Sequence, residues 1–197
     1  GTAYCWGSNS SGQLGNGTTD DSSTPVAVAT TGALAGKSML SLSLGASGYS
    51  CGLASDNQAY CWGSNSYGGI GSGSASSSEP QPVAVSRTGV LAGKTINSLS
   101  SGSGHSCAIA SDNFGYCWGW NNNGQLGDGT TTNSSTPVPV ARTGVLAGKT
   151  LKSISAGSGF TCAIASDNLA YCWGLNGWGQ LGNSSTTSSL SPVAVSR

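Results

Sequence analysis

The sequence predicts an all-β chain built as a tandem array, and three observations carry the prediction. The tetrapeptide Tyr-Cys-Trp-Gly begins at Tyr4, Tyr60, Tyr116 and Tyr171, at spacings of 56, 56 and 55 residues. Apolar runs are short, alternate with polar residues, and are bounded by Gly, Asp, Asn and Pro, as strands are. Nowhere does a 3.6-residue apolar period persist long enough for a substantial helix. Self-similarity at a fixed period marks an architecture in which each unit buries its apolar face only against its neighbours.

Each period opens with the strand-like Tyr-Cys-Trp-Gly and continues into an Asn/Gly segment such as Gly12-Gln13-Leu14-Gly15. A Ser/Thr-rich stretch follows, then a β-branched run after proline, as in Pro25-Val26-Ala27-Val28. The second half begins with Thr-Gly-x-Leu-Ala-Gly-Lys at Thr31, Thr88 and Thr143, passes a Gly/Ala-Ser-Gly turn, reaches a cysteine and ends at Ala-Ser-Asp-Asn. Four first halves and three second halves make about three and a half repeats in one array of 1–197, divided at 4–59, 60–115, 116–170 and 171–197. The best-defined element is the hairpin that runs from Ser106 through Ser111-Asp112-Asn113 to Trp118. Centring its turn on Asp112 sets Cys107 opposite Cys117, Ser106 opposite Trp118 and Ala108 opposite Tyr116, so large rings meet small residues. Asp and Asn suit the tip because they tolerate left-handed dihedrals and bond their own backbone.

Composition excludes two classes of partner. Seven Lys+Arg balance seven Asp+Glu, and charged residues make up only 7% of the chain. That leaves no basic footprint for nucleic acid and no polybasic patch for an anionic membrane surface. No apolar run approaches the roughly 20 residues of a membrane-spanning helix.

Trp-Gly-x-Asn-x-x-Gly-Gln-Leu-Gly, starting at Trp6, Trp118 and Trp173, resembles the regulator of chromosome condensation repeat family. Gly104-His105-Ser106-Cys107 is similar to that family's second signature. The resemblance spans the chain and implies β-propeller-type blades, with one repeat supplying about one four-stranded blade and seven blades in the usual ring. The second copy departs, reading Gly68-Gly69-Ile70-Gly71, and Tyr49 and Phe160 stand where the third copy has His105. The paired cysteines resemble those of bacterial surface versions of the repeat. Known family roles range from nucleotide exchange on a small GTPase and chromatin docking to enzyme inhibition and ultraviolet sensing, so the fold alone names no activity.

Six of the seven cysteines fall into pairs ten residues apart, Cys51/Cys61, Cys107/Cys117 and Cys162/Cys172, with Cys5 left over. Opposed residues in an antiparallel hairpin lie within disulfide reach. Zinc would want short Cys-x-x-Cys knuckles, which are absent. Disulfides point to an oxidising compartment, hence to a secreted or cell-surface protein. His105 is read as packed between strands, and Asp56, Asp112 and Asp167 as turn residues, because one carboxylate per tip makes no calcium site. A single histidine without a nucleophile elbow makes no triad, so neither enzyme activity nor a cofactor is expected. Asn9, Asn16, Asn133 and Asn183 head Asn-x-Ser/Thr sequons in or beside the Ser/Thr segments, and are candidate acceptors of N-linked sugars.

The function expected from these features is an extracellular structural or adhesive repeat module. It would assemble with further copies, or with the rest of a longer chain, into a ring or filament. The alternative is a specific protein-binding propeller, such as an inhibitor of a secreted enzyme. A dedicated binder should vary its aromatics at equivalent loop positions, and Ser64, Tyr67, Trp120 and Trp178 give a little of that. The open ends of such an arc are expected to invite pairing. Cys5 would then be unpaired, or bonded to a preceding segment or a neighbouring chain.

Overall fold

The computed structural model describes residues 1–74 and 76–196; Ala75 and Arg197 lie outside it. Four antiparallel sheets follow one another along the chain. The first has two strands, β1 (Tyr4–Gly7) and β2 (Ser22–Ala27). The second has four, β3 (Met39–Gly45), β4 (Tyr49–Ala54), β5 (Ala59–Ser64) and β6 (Ser78–Ala84). The third comprises β7 (Ile96–Ser101), β8 (His105–Ala110), β9 (Gly115–Gly119) and β10 (Ser134–Pro139). The fourth comprises β11 (Leu151–Ala156), β12 (Phe160–Ala165), β13 (Ala170–Gly174) and β14 (Ser189–Ala194). Strand order within each sheet is sequential, as a meander of short hairpins requires. The sheets are β-propeller-type blades set in an arc that is not closed into a ring.

The sheets are offset from the sequence repeats by half a period. Each four-stranded blade takes its first two strands from the second half of one repeat and its last two from the next repeat. The reason is the hairpin: β8 and β9 pair across the repeat boundary at 115/116 with Cys107 opposite Cys117, Ser106 opposite Trp118 and Ala108 opposite Tyr116. Its tip places Asn113 at φ 60°, and the equivalent Asn57 and Asn168 at 56° and 64°, the left-handed region that asparagine tolerates.

The hydrophobic core lies between sheets rather than within them. One cluster joins Tyr49 and Ile70 to Ala108, Tyr116 and Trp118; a second joins Ile109 and Leu126 to Tyr171 and Trp173. The first strands of successive blades are laced together at the inner end, where Ser101 N donates to Ser43 Oγ and Ala156 N to Ser100 Oγ. The Thr-Gly-x-Leu-Ala-Gly-Lys segments form single 3-10 turns that bury Leu34, Leu91 and Leu146. Lys94 and Lys149 then reach over the Tyr116 and Tyr171 rings at 5.3 and 4.8 Å and pair with Asp112 and Asp167.

All six prolines, Pro25, Pro80, Pro82, Pro137, Pro139 and Pro192, stand in β2, β6, β10 and β14, the last strands of their sheets. Proline cannot donate to a further ladder, so these edges resist strand addition. Among the described strands the outer edges are thus blunted, and pairing at the open ends of the arc would run through blade faces.

Candidate functional site

Each junction between blades is built on one backbone carbonyl. Trp62 Nε1 donates to Gln13 O at 3.0 Å, Trp118 Nε1 to Gly69 O at 2.9 Å and Trp173 Nε1 to Gln125 O at 3.0 Å. A hydroxyl from the adjacent strand caps the same oxygen: Ser50 on Gln13 O, Ser106 on Gly69 O and Thr161 on Gln125 O. The acceptor is backbone, which explains why Gly69 serves where other copies have glutamine. Gly15, Gly71 and Gly127 close these loops at positive φ, and a Cβ there would sit within 2.6 Å or less of the indole. The three tryptophans are fully buried, whereas Trp6 of β1 is 63% exposed.

The asparagine of the Trp-Gly-x-Asn motif is the residue that sequence reasoning missed. Asn121 is buried and donates Nδ2 to Thr130 O and Thr132 O, while its Oδ1 accepts from Leu126 N. Asn9, Asn65 and Asn176 make the same clamp in their own loops. The signal was there: asparagine recurs at this position in all four copies while its neighbours vary. Asn9 must therefore be withdrawn as a sugar acceptor, since its amide nitrogen is buried and already donating to Thr18 O and Asp20 O. Asn133 is exposed and Asn16 and Asn183 are half-buried, and each Oδ1 closes a loop hydrogen bond.

Cys51–Cys61, Cys107–Cys117 and Cys162–Cys172 are disulfide-bonded, with Cα atoms 4.0, 4.1 and 4.1 Å apart. Cys5 carries a free, buried thiol whose pKa burial pushes up. It lies with Tyr4, Trp6, Leu42 and Leu44 around a cavity of about 570 Å³ between β1 and the inner strands β3 and β4. Leu44 there is 67% exposed, while its counterparts in the later blades are Ser101 and Ala156.

His105 is fully buried on β8, with Nε2 2.8 Å from Thr161 Oγ1. Thr161 already donates to Gln125 O, so its oxygen accepts from Nε2–H and leaves His105 Nδ1 without a partner. Burial lowers this imidazole's pKa to about 4. Asp56, Asp112 and Asp167 accept the Tyr60, Tyr116 and Tyr171 hydroxyls and a backbone N–H two residues on. Burial, with Asp112 adding to it, pushes the Tyr116 phenol up to about 12, so it remains a hydrogen-bond donor. Among the described residues no three His, Cys, Asp or Glu side chains converge as a metal site, and no helix is long and apolar enough to cross a membrane.

Blades packed in sequence around an axis, each sealed to the one before by an indole on a loop carbonyl, define a β-propeller repeat protein. The regulator of chromosome condensation (RCC1) repeat matches residues 1–48, 56–109, 116–164 and 167–197. The chain belongs to that family. It is 31% identical over 191 residues to the ultraviolet-B receptor UVR8 of Arabidopsis thaliana, covering 96% of this chain and 41% of the receptor. It is 31% identical over 201 residues to the probable E3 ubiquitin-protein ligase HERC6 of Homo sapiens, covering all of this chain and 19% of the ligase. The chain thus spans less than half of either relative. In fold it superposes on human WBSCR16 with a TM-score of 0.86 at 21% identity, covering 100% of this chain and 49% of that one. It superposes on Prp20p of Saccharomyces cerevisiae with a TM-score of 0.79 at 23% identity, covering 97% and 46%.

Proposed function

We propose that this chain is a non-catalytic binding and assembly module that works outside the cell. Its first blade is completed by further repeat surface, from a longer chain or from another copy. The observation that carries the reading is the unequal fate of one tetrapeptide: Trp62, Trp118 and Trp173 are buried on a neighbour's loop, and Trp6 is 63% exposed. The matching half of that junction is the loop Gly179-Gln180-Leu181-Gly182, over which no indole lies among the described residues. Trp6 on one copy and Gln180 O on the next would repeat the geometry of the internal junctions. Such a head-to-tail contact closes into a ring or propagates as a filament. The proline-blunted outer edges direct assembly through blade faces, not strand addition.

Three disulfides support an extracellular setting. Cys5, beside the cavity under β1, would bond a cysteine of the completing segment where a longer chain supplies it, and would stay a thiol where another copy does. Asn16, Asn133 and Asn183 are the remaining candidate sugar acceptors. The relatives support protein binding: one is a receptor, and Prp20p has binding properties towards Gsp1p and histones.

Sedimentation of the purified 197-residue chain tests the proposal. Concentration-dependent association that Trp6→Ser and Leu44→Ser abolish is expected. A monomer across the micromolar range, with Cys5 free and the fold intact, would overturn completion by another copy, and a longer chain in which Trp6 stays exposed would overturn completion within one chain.

A further inference from the structure

The turns that join the first two strands of each four-stranded blade run side by side along the arc. Ala46 N donates to Gly102 O and Ser103 N to Gly157 O, so the three turns form a continuous backbone rim. Ser47, Ser103 and Ser158 stand on that rim, with Ser103 Oγ 3.3 Å from Ser158 Oγ. Two aromatic rings flank them. Tyr67 and Trp120 lie with centroids 5.8 Å apart and planes tilted by 34°. Both rest over Gly104, where an added Cβ would meet the Tyr67 ring at 3.4 Å and the Trp120 ring at 3.8 Å. Together these five side chains enclose a recess of about 290 Å³.

The recess is local to one junction. The residues that correspond to Tyr67 and Trp120 are Ser11 and Ser64 at the preceding junction, and Asn123 and Leu175 at the following one. Repetition therefore does not explain the aromatic pair. No side chain lining the recess carries a charge. The hairpin-tip aspartates and their lysines lie at the opposite ends of the strands. All five lining residues stand in turns or loops and none in a strand, so a peptide would find neither a ladder nor an ion pair there.

We infer that this recess binds a neutral saccharide. A pyranose ring presents one face of C–H bonds, whose slight positive charge suits the negative face of an indole or phenol ring. Its hydroxyls both donate and accept, and so do the three serine hydroxyls below. A few polar groups converging beside aromatic walls is the usual make-up of a small-ligand site. The inference is independent of self-assembly, since a monomer would keep the recess intact.

The test is titration of the full chain with neutral tetra- to hexasaccharides of glucose, mannose, galactose and N-acetylglucosamine, followed by calorimetry and tryptophan fluorescence. Saturable binding of at least one member is expected, with Trp120→Ser or Tyr67→Ser weakening it about tenfold or more. Serine already occupies both equivalent positions one junction earlier, so these variants should keep the native near-ultraviolet circular dichroism. Trp178→Ser, which alters an exposed indole elsewhere, should leave binding unchanged. Failure of every oligosaccharide to bind would overturn the inference. So would binding that survives both Trp120→Ser and Tyr67→Ser, or a Trp120-dependent interaction with protein alone.

Discussion

Trp6 and Trp118 share a tetrapeptide, a strand position and the motif that follows, yet one is largely exposed and the other fully buried. Around Trp118 the previous blade supplies the Gly69 carbonyl, the close-packed Gly71 and the Ile70 side chain. Around Trp6 the described residues supply no such loop, and the surface beside it opens into the cavity that Cys5 and Leu44 line. Local sequence therefore sets where the indole points, and the neighbouring blade decides whether it is buried. Stability in this protein belongs to junctions, as the nearest-neighbour character of repeat folds implies.

Substitution at the two tryptophans gives the largest expected contrast. Trp118→Ala should cost about 3–5 kcal/mol in urea unfolding, through lost burial and a residual cavity. Trp6→Ala should cost less than about 0.5 kcal/mol in the monomer. Equal costs would show that Trp6 also sits in a formed junction under the conditions used.

Bond content sharpens the comparison next. Cys107→Ser with Cys117→Ser should remove about 2–3 kcal/mol by freeing a short loop in the unfolded chain. Cys5→Ser breaks no bond and should cost the monomer less, about 1 kcal/mol, for placing a hydroxyl among buried apolar side chains. Thiol titration of the unreduced, denatured monomer should find one of the seven cysteines reactive.

Within a single loop, Asn121→Ala should cost about 1–3 kcal/mol, because it orphans Leu126 N and two loop carbonyls. Thermal unfolding at fixed pH would measure it, with Asn122→Ala, at an exposed position next to the clamp, as the control.

The gentlest effect is a slope in pH. His105 in the fold titrates at about 4, below its unfolded value of roughly 6.5. The unfolded chain thus binds the extra proton between those values, and stability falls as pH drops through that window, by at most about 1.4 kcal/mol per pH unit. His105→Phe, which installs the residue found at the equivalent Phe160, should flatten that part of the profile.

Much of the fold was legible because its determinants are local. The all-β class and the hairpin register follow from residues within a dozen positions of one another, the period from the plain recurrence of one tetrapeptide, and the three cysteine pairs fall on that register. The half-repeat offset and the loop carbonyl beneath each indole were not legible in the same way. Trp118 bonds a residue 49 positions upstream, and near-identical copies give no clue as to which loop an indole will choose. Asn9 misled because a sequon and a buried clamp share one asparagine, and only the packing of Thr18 and Asp20 against it separates them. Tyr67 and Trp120 stand out in the sequence as loop aromatics, but their meeting over the serine turns is not legible there because the recess draws on three successive repeats.

The half-period offset also bears on how such a protein grows. Because every four-stranded sheet borrows two strands from each of two successive repeats, gaining or losing one whole period leaves each remaining sheet with its full complement, wherever in the period the splice falls. Recombination between such units would thus alter the reach of the array one blade at a time. No splice point would need a purpose-made linker, and no intermediate length would expose a new kind of surface.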